Sequence, residues 1–187
     1  RASSERYAHT TSAMSWYMWC KTSGQGDLQE ARKLAMSYIN SSRNPPRSAG
    51  QLNTAMFYYM EEDLALAARN FQAYSDFQKE RTPIALIHLM IIAQRTGNDV
   101  QKQNIARYFQ GDDKLKFTRP ANAQAGQLFE MLLPAFQQGA GALDLAAVDQ
   151  WLSQQSADPY DRLPFHYYLA ESLHALGQVE QAKTYFE

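Results

Sequence analysis

The stretch that decides the fold lies near the end of the chain, where Tyr168–Ala182 reads YLAESLHALGQVEQA. The dense apolar segment within this stretch ends at Gly177, and glycine is a residue type that often ends helices. The apolar residues that follow stand at offsets of 0, 3 and 7, at Val179, Ala182 and Phe186. Such offsets place side chains on one face of an α-helix. The stretch therefore predicts two α-helices joined by a short turn.

The same apolar stripe recurs elsewhere in the chain. Stripes with offsets of 0, 3 and 7 start at Leu28, Leu64 and Leu145, and each follows a denser apolar segment. No stretch shows the sustained alternation of apolar and polar residues that is typical of β-strands. The sequence therefore predicts an all-α fold.

The spacing of the stripes indicates a repeat. From Leu28 to Leu64 and from Leu64 to Val100 the distance is 36 residues, and further steps of 45 and 34 residues lead to Leu145 and Val179. A helix–turn–helix unit of about 34 residues is typical of helical solenoids. We expect about five antiparallel helix pairs. They are predicted over residues 6–40, 48–79, 83–110, 120–156 and 162–187.

Two turns resemble the middle of a tetratricopeptide repeat, in which a glycine turn leads into a helix with an early alanine. They are Gly26–Ala31 (GDLQEA) and Leu176–Ala182 (LGQVEQA). Tyr168–Gly177 resembles the first helix of that repeat, whereas Gln103 and Arg107 interrupt the stripe of the third pair. The resemblance extends over about five pairs. It implies a right-handed solenoid (TPR-like) whose pairs share a continuous core and whose first helices line a concave groove.

Short polar acceptors precede three of the predicted second helices. Asp27, Asp63 and Asp99 each stand directly before an apolar helical residue. Aspartate side chains accept hydrogen bonds from the unpaired amides at a helix start. We therefore expect these three residues to be N-caps.

Composition narrows the class of protein. The chain has 187 residues, a net charge of −1, 45% hydrophobic residues and one cysteine. This balance predicts a single folded array, no nucleic-acid partner, no disulfide framework and no membrane span. Because the chain begins at Arg1 and stops within a helical pattern at Glu187, we expect an excerpt of a larger protein. The compartment is unknown; the single cysteine favours the cytoplasm only slightly over the periplasm.

No residue pattern predicts catalysis, a metal or a cofactor. Cys20 has no cysteine at metal-ligand spacing and lies in an apolar helix, which disfavours a reactive thiolate. Glu171 and His174 have the spacing of a di-iron motif but lack its second copy. The glycines at positions 139 and 141 lack the strand and the lysine of a phosphate loop. We expect no enzyme activity.

Aromatic residues crowd the predicted first helices, and consecutive aromatics cannot all face one core. We therefore expect a protein–protein interaction module or scaffold, with a peptide or partner segment bound in the concave groove. The alternative is a ligand-sensing or regulatory segment that binds a small molecule or a glycan chain. An open groove would favour a peptide, and a closed apolar pocket a small ligand.

Projecting the groove offsets of tetratricopeptide repeats from Leu28, Leu64, Val100 and Val179 gives a candidate binding set. The set is Trp16, Cys20, Met56, Tyr59, His88, Arg95, Tyr167, Glu171 and His174. Large aromatics and Met56 would supply apolar contacts, and Arg95 would pair with a carboxylate. The exposed ends of the array, especially after Phe186, are expected to allow self-association.

Overall fold

The protein is described by a computed structural model that covers residues 13–21, 23–41, 49–77, 83–110, 120–155 and 159–186. Helix α1 covers residues 13–21. The other helices are α2 (Leu28–Ser41), α3 (Ala49–Met60), α4 (Leu64–Phe77), α5 (Pro83–Arg95), α6 (Asp99–Ala106), α7 (Pro120–Gln138), α8 (Leu145–Gln155), α9 (Pro159–Ala175) and α10 (Val179–Phe186). Two 3₁₀ turns, Arg107–Phe109 and Ala140–Ala142, follow α6 and α7. The described residues contain no strand, so the all-α prediction is confirmed.

The chain divides into two compact units, residues 1–79 and residues 80–187. In unit 1, helices α1, α2 and α3 share a core, and α4 packs on α3. Tyr17 of α1 lies against Phe57 of α3, with ring centroids 5.2 Å apart, and both side chains are fully buried. Ala31 and Ala35 of α2 are fully buried beside them. These small residues let α2 approach the aromatic rings closely.

Unit 2 is organised around α5. Every residue from Ala85 to Ala93 is buried, because α6, α7 and α9 all pack against this helix. Helix α10 pairs with α9, and α7 also contacts α9. In a stack of repeats each pair contacts only its neighbours. Helix α5 belongs to the third predicted pair and α9 to the fifth. Their contact therefore joins two pairs that are not neighbours in the predicted repeat.

The second helices start with the same local geometry. Oδ1 of Asp27 accepts a hydrogen bond from the amide of Glu30 at 2.9 Å, and Oδ1 of Asp63 accepts one from the amide of Leu66 at 3.1 Å. Both predicted caps are confirmed. The cap of α6 is Asn98 and the prediction of Asp99 is wrong, since Asp99 is the first helical residue and pairs with Lys102.

The position four residues after each cap is usually apolar and buried. It holds Ala31, Ala67, Val148 and Ala182, and in α6 it holds Lys102. In each case its amide donates to the carbonyl of the cap residue, which directly precedes the helix, at distances of 2.9 to 3.1 Å. This recurrence within the described residues is compatible with a helical repeat. The predicted pair limits at 6, 48, 79, 156 and 187 lie outside the described residues.

Three of the turns share one backbone motif. After α3, α5 and α9 the chain passes through a residue with positive φ, at Glu62 (61°), Gly97 (66°) and Gly177 (79°). The next amide in each turn donates back to the carbonyl five residues earlier, as that of Asp63 does to Tyr58 at 3.0 Å. This is the Schellman arrangement that closes helix ends. Glycine adopts it without strain, whereas Glu62 does not.

We expect Glu62→Gly to stabilise unit 1 by about 0.5–1 kcal/mol, because a non-glycine residue in the left-handed region costs about 1–2 kcal/mol. Urea unfolding of the variant and of the parent chain measures the difference. Glu62→Ala is the control, since it removes the same side chain and keeps the backbone strain. Equal changes in the two variants would contradict the explanation from backbone conformation.

Candidate functional site

A surface groove lies between α7 and α8 of unit 2. Gln124, Gln127 and Met131 lie on one stripe of α7, and Trp151 and Gln155 lie on successive turns of α8. Helix α8 buries its apolar stripe through Val148 and Leu152, so its neighbouring face carries Trp151 to the surface. We call the space between these residues the α7–α8 groove.

The ring of Trp151 is held in place by two contacts. Its Nε1–H donates to Oε1 of Gln127 at 3.2 Å. Phe165 of α9 lies edge-on to the indole, with ring centroids 5.4 Å apart and planes at 78°. A large aromatic side chain whose rotamer is already fixed loses little conformational entropy when a partner covers it. Trp151 is therefore preorganised for contact.

Two depressions lie along the residues of the groove. The first, of about 430 Å³, is lined by Gln127, Glu130, Met131 and Trp151. It combines an indole, a flexible thioether and a carboxylate. These groups offer an apolar wall, an adaptable contact and a negative charge within one small surface.

The second depression has about 420 Å³ and lies where α7 and α8 meet α5 and α9. It is lined by Ile84, Gln124, Ala125, Gln155, Asp161, Pro164, Phe165 and Tyr168. Burial raises the pKa of Tyr168 to about 12, so its hydroxyl stays protonated at neutral pH. Nε2 of Gln155, which lines this depression, donates to the carbonyl of Trp151, which lines the first, at 2.9 Å. Depressions of this size are in the range of small-molecule sites.

The charged side chains among the described lining of the groove are carboxylates. From residue 120 to residue 155 the sequence has three carboxylates, Glu130, Asp144 and Asp149, and no lysine, arginine or histidine. Asp144 caps α8 through the amide of Ala147 at 3.0 Å, and Asp149 accepts a hydrogen bond from Tyr185 at 2.7 Å. Glu130 is the carboxylate of this stretch that lines the groove. Asp161 of α9 adds a second carboxylate to its lining.

The nine residues predicted from sequence lie in both units, and their side chains differ widely in exposure. The buried ones are Cys20, Tyr59 and His88; the partly exposed ones are Trp16, Met56, Tyr167 and Glu171; the exposed ones are Arg95 and His174. Side chains that are buried and line neither of the two depressions cannot touch a partner there. The projected surface, which stays a prediction, therefore lacks the side chains of Cys20, Tyr59 and His88.

Tyr59 and His88 pack in the cores of different units. Tyr59 contacts the ring of Phe71 edge-on in unit 1. His88 is fully buried in unit 2, where its Nδ1 lies 2.8 Å from the carbonyl of Ile84 and its ring lies 5.7 Å from that of Tyr168. Burial lowers the pKa of His88 to about 4, so the imidazole is neutral at pH 7.

The α7–α8 groove was missed by the sequence-based projection, because that projection used markers in the other four pairs. The fourth pair follows the irregular 45-residue step. A signal was present nonetheless: Trp151 is the sole tryptophan after Trp19, and it lies in a stretch without a basic residue. A tryptophan in a segment whose charged residues are all negative is unusual on a solvated helix face.

A second polar cluster lies in unit 1 around Glu61. Its Oε1 accepts a hydrogen bond from the hydroxyl of Tyr17, its Oε2 accepts one from Nε of Arg32 at 2.5 Å, and Lys21 Nζ lies 3.5 Å from Oε1. Lys21 also donates to the carbonyl of Met60. The cluster joins α1 and α2 to the end of α3. The polar and charged groups of this cluster bind one another. The cluster therefore acts as a structural clamp that holds the three helices together.

We expect Glu61→Gln to destabilise unit 1 by about 1–2 kcal/mol, since it weakens charge-assisted hydrogen bonds to two helices. Burial alone would raise the pKa of Glu61, but hydrogen bonds from Tyr17 and Arg32, with the charges of Arg32 and Lys21, lower it. The carboxylate therefore contributes stability above its unfolded pKa, and this contribution is lost as the pH falls through the folded pKa.

Chemical denaturation at pH 7 and pH 3 tests this expectation. The control is Glu62→Gln, which makes the same charge change at the adjacent, exposed position. If both variants lose the same stability at pH 7, the clamp contributes nothing beyond net charge.

Within the described ranges, no group of three or more His, Cys, Asp or Glu side chains is placed to hold a metal ion. None of the helices seen there combines the length and the apolar character needed to cross a membrane. No family model, curated protein or solved structure matches this chain. The candidate site therefore rests on the geometry of the α7–α8 groove.

Proposed function

We propose that this protein is a tetratricopeptide-like repeat array that serves as a protein–protein interaction module, and that the α7–α8 groove binds a segment of its partner. Recurrent capped helix starts and Schellman turns support the repeat. The observation that carries the binding proposal is Trp151, which lines a surface depression and is fixed by Gln127 and Phe165. Tryptophan anchors in such positions often dominate the binding energy of an interface.

A peptide fits the groove because its two depressions follow successive turns of the same helices. Gln124 and Gln127 are three residues apart on α7, and Trp151 and Gln155 are four residues apart on α8. One helical turn advances about 5.4 Å, close to the length of two extended residues. A short extended segment therefore spans both depressions.

Selection of a displayed random-peptide library on the 187-residue chain tests the proposal. Selected peptides should shift the ¹⁹F resonance of 5-fluorotryptophan at position 151, assigned with Trp151→Phe. They should bind the Trp151→Ala variant at least about tenfold more weakly than they bind the parent chain. Trp19→Ala, which changes the half-exposed tryptophan of unit 1, is the matched control and should change the affinity less than twofold. Recovery of no binder, or equal losses in both variants, would refute the proposal.

A second candidate function is recognition of a small molecule or glycan chain. The depression that contains Tyr168 supports it, because Phe165 offers an aromatic surface and Asp161, Gln124 and Gln155 offer polar groups. Aromatic stacking with a few polar contacts is typical of small-ligand sites. A glycan array screened with the chain, with Phe165→Leu and Tyr168→Phe as site variants, distinguishes this function from peptide binding.

The remaining predicted binding residues, Trp16 and Met56 of unit 1 and Arg95, Glu171 and His174 of unit 2, also stay proposed. Self-association at the array end is likewise proposed, and Phe186 of α10 is 53% exposed. The equivalent positions of the other second helices, eight residues after the cap, hold the buried Ala35, Phe71, Ala106 and Leu152. Light scattering that finds only monomer at high concentration would contradict self-association.

A further inference from the structure

We infer that the depression lined by Tyr168 binds a small uncharged molecule that carries an aromatic ring and a carboxamide group. The carbonyl oxygen of the carboxamide accepts a hydrogen bond from the hydroxyl of Tyr168. This inference rests on the second candidate function and specifies its class of ligand. The observation behind it is a nearly buried tyrosine hydroxyl that has no hydrogen-bond partner within the described residues.

Tyr168 of α9 is 8% exposed, and its ring packs against those of His88 and Tyr167, with centroids 5.7 and 5.6 Å away. Within the part of the chain that the structure describes, its hydroxyl forms no hydrogen bond. The hydroxyl is not one of the fully enclosed polar atoms that lack a partner. It is therefore accessible, and Tyr168 lines the depression of about 420 Å³. A ligand atom in this depression can supply the missing partner.

Two other tyrosines show the usual arrangement of a partly buried hydroxyl. The hydroxyl of Tyr17 donates to Oε1 of Glu61, and that of Tyr185 donates to Oδ1 of Asp149 at 2.7 Å. Burial raises the pKa of both tyrosines, and these hydrogen bonds raise it further. Burial alone raises the pKa of Tyr168. Removing a hydroxyl from water without a new partner opposes folding, so a site for a ligand acceptor explains why the hydroxyl is kept.

Two glutamine side chains add uncharged polar groups to the same depression. Nε2 of Gln155 donates to the carbonyl of Trp151, so its Oε1 is available to accept. The amide of Gln124 forms no hydrogen bond with the described residues. A carboxamide matches these groups, because its carbonyl accepts from Tyr168 and its N–H donates to a glutamine oxygen. Asp161 also lines the depression, but it already interacts within the protein, so its charge is not part of the proposed contact.

Apolar side chains account for the aromatic ring of the ligand. The described lining of the depression includes Ile84, Ala125, Pro164 and Phe165. The ring of Phe165 is fixed edge-on against Trp151, with centroids 5.4 Å apart. A volume of about 420 Å³ suits a single substituted ring. An uncharged molecule also loses less hydration than an ion when it enters such a site.

Two fluorinated probes of similar shape test the inference. One is para-fluorobenzamide; the other is para-fluorocumene, in which an isopropyl group replaces the carboxamide. Broadening of the ¹⁹F line of each probe, titrated against the 187-residue chain, measures its affinity. We expect para-fluorobenzamide to bind and to shift the ¹³Cζ resonance of Tyr168, assigned with Tyr168→Phe. That variant should bind para-fluorobenzamide about fivefold more weakly, because one hydrogen bond is lost, and should change the affinity for para-fluorocumene less than twofold.

The matched control is Tyr185→Phe, which removes a hydroxyl that pairs with Asp149 and does not line the depression. It should change the affinity for either probe less than twofold. Thermal unfolding without ligand should show Tyr168→Phe to be at least as stable as the parent chain, because its hydroxyl has no hydrogen bond to lose.

Each contrary outcome overturns the inference. Equal losses of affinity for both probes in Tyr168→Phe would show an effect of packing. A less stable Tyr168→Phe variant would show that the hydroxyl is already paired in the free protein. Absence of binding by para-fluorobenzamide would show that the hydroxyl needs no ligand beyond water. The proposed functions are decided separately, since the glycan array tests the second candidate function and the displayed library tests peptide binding.

Discussion

Replacing Gly26 by alanine is expected to destabilise unit 1 by about 2–5 kcal/mol. Gly26 has a φ of +77°, a conformation that costs an L-residue about 1–2 kcal/mol. A Cβ atom there would also lie 2.9 Å from Cζ3 of Trp19 and 3.1 Å from Sγ of Cys20. The half-exposed Trp19 ring can move aside, but the buried Cys20 cannot, and overpacking costs about 1–3 kcal/mol.

Gly24 provides a matched control in the same turn. It has a φ of +68°, and no heavy atom lies within 4 Å of the position of its Cβ. Gly24→Ala should therefore show the backbone cost alone, about 1–2 kcal/mol. Urea unfolding followed by the fluorescence of Trp16 and Trp19 measures both variants. If Gly26→Ala loses no more than Gly24→Ala, close packing of α1 on this turn is not a source of stability.

Acidification from pH 7 to pH 5 is expected to cost unit 2 about 2 kcal/mol of unfolding free energy through His88 alone. Burial lowers the folded pKa of His88 to about 4, against an ordinary value near 6.5. Between these values the unfolded chain binds a proton that the folded chain does not. Stability from this residue is therefore present above about pH 6.5 and declines as the pH falls, with a full loss of about 3 kcal/mol below pH 4.

His88→Leu separates this effect from other titrating groups. The leucine fills a similar volume without a titrating ring, so the variant should lose about 2 kcal/mol less than the parent chain between pH 7 and pH 5. His174→Leu, at an exposed position of α9, is the control for the loss of a histidine. Parallel pH profiles for the parent and His88→Leu would show that the buried imidazole is not proton-linked to folding.

Local sequence signals predicted the helices and their starts well because these features depend on nearby residues. The inner stripe members Ala31, Ala67 and Val148 are fully buried, as three- and four-residue spacing predicts. Asp27 and Asp63 are caps for the same reason. The error at Asp99 is a shift of one residue, since Asn98 offers an equally good acceptor one position earlier.

The faces of the first helices could not be predicted in the same way. A shift of one residue rotates a side chain by about 100°, which separates a groove residue from a core residue. Tyr59 and Met56 of α3 illustrate this, since the first is buried and the second is partly exposed. His88 is enclosed because α9 packs on α5, a contact between distant parts of the sequence. The α7–α8 groove likewise depends on how two helices pack, which residue spacing alone does not specify.

Because α9 packs on α5 but follows it in the chain, α5 is synthesised before one of the helices that cover it. The end of α5 at Arg95 and the end of α9 at Ala175 are 80 residues apart in the chain. A ribosome adds about 5–20 residues per second, so α5 waits about 4–16 s for the helix that covers it. During this interval the apolar run from Ala85 to Ala93 lacks part of its cover. Nascent chains of this protein are therefore expected to engage chaperones that bind apolar segments until α9 has been synthesised.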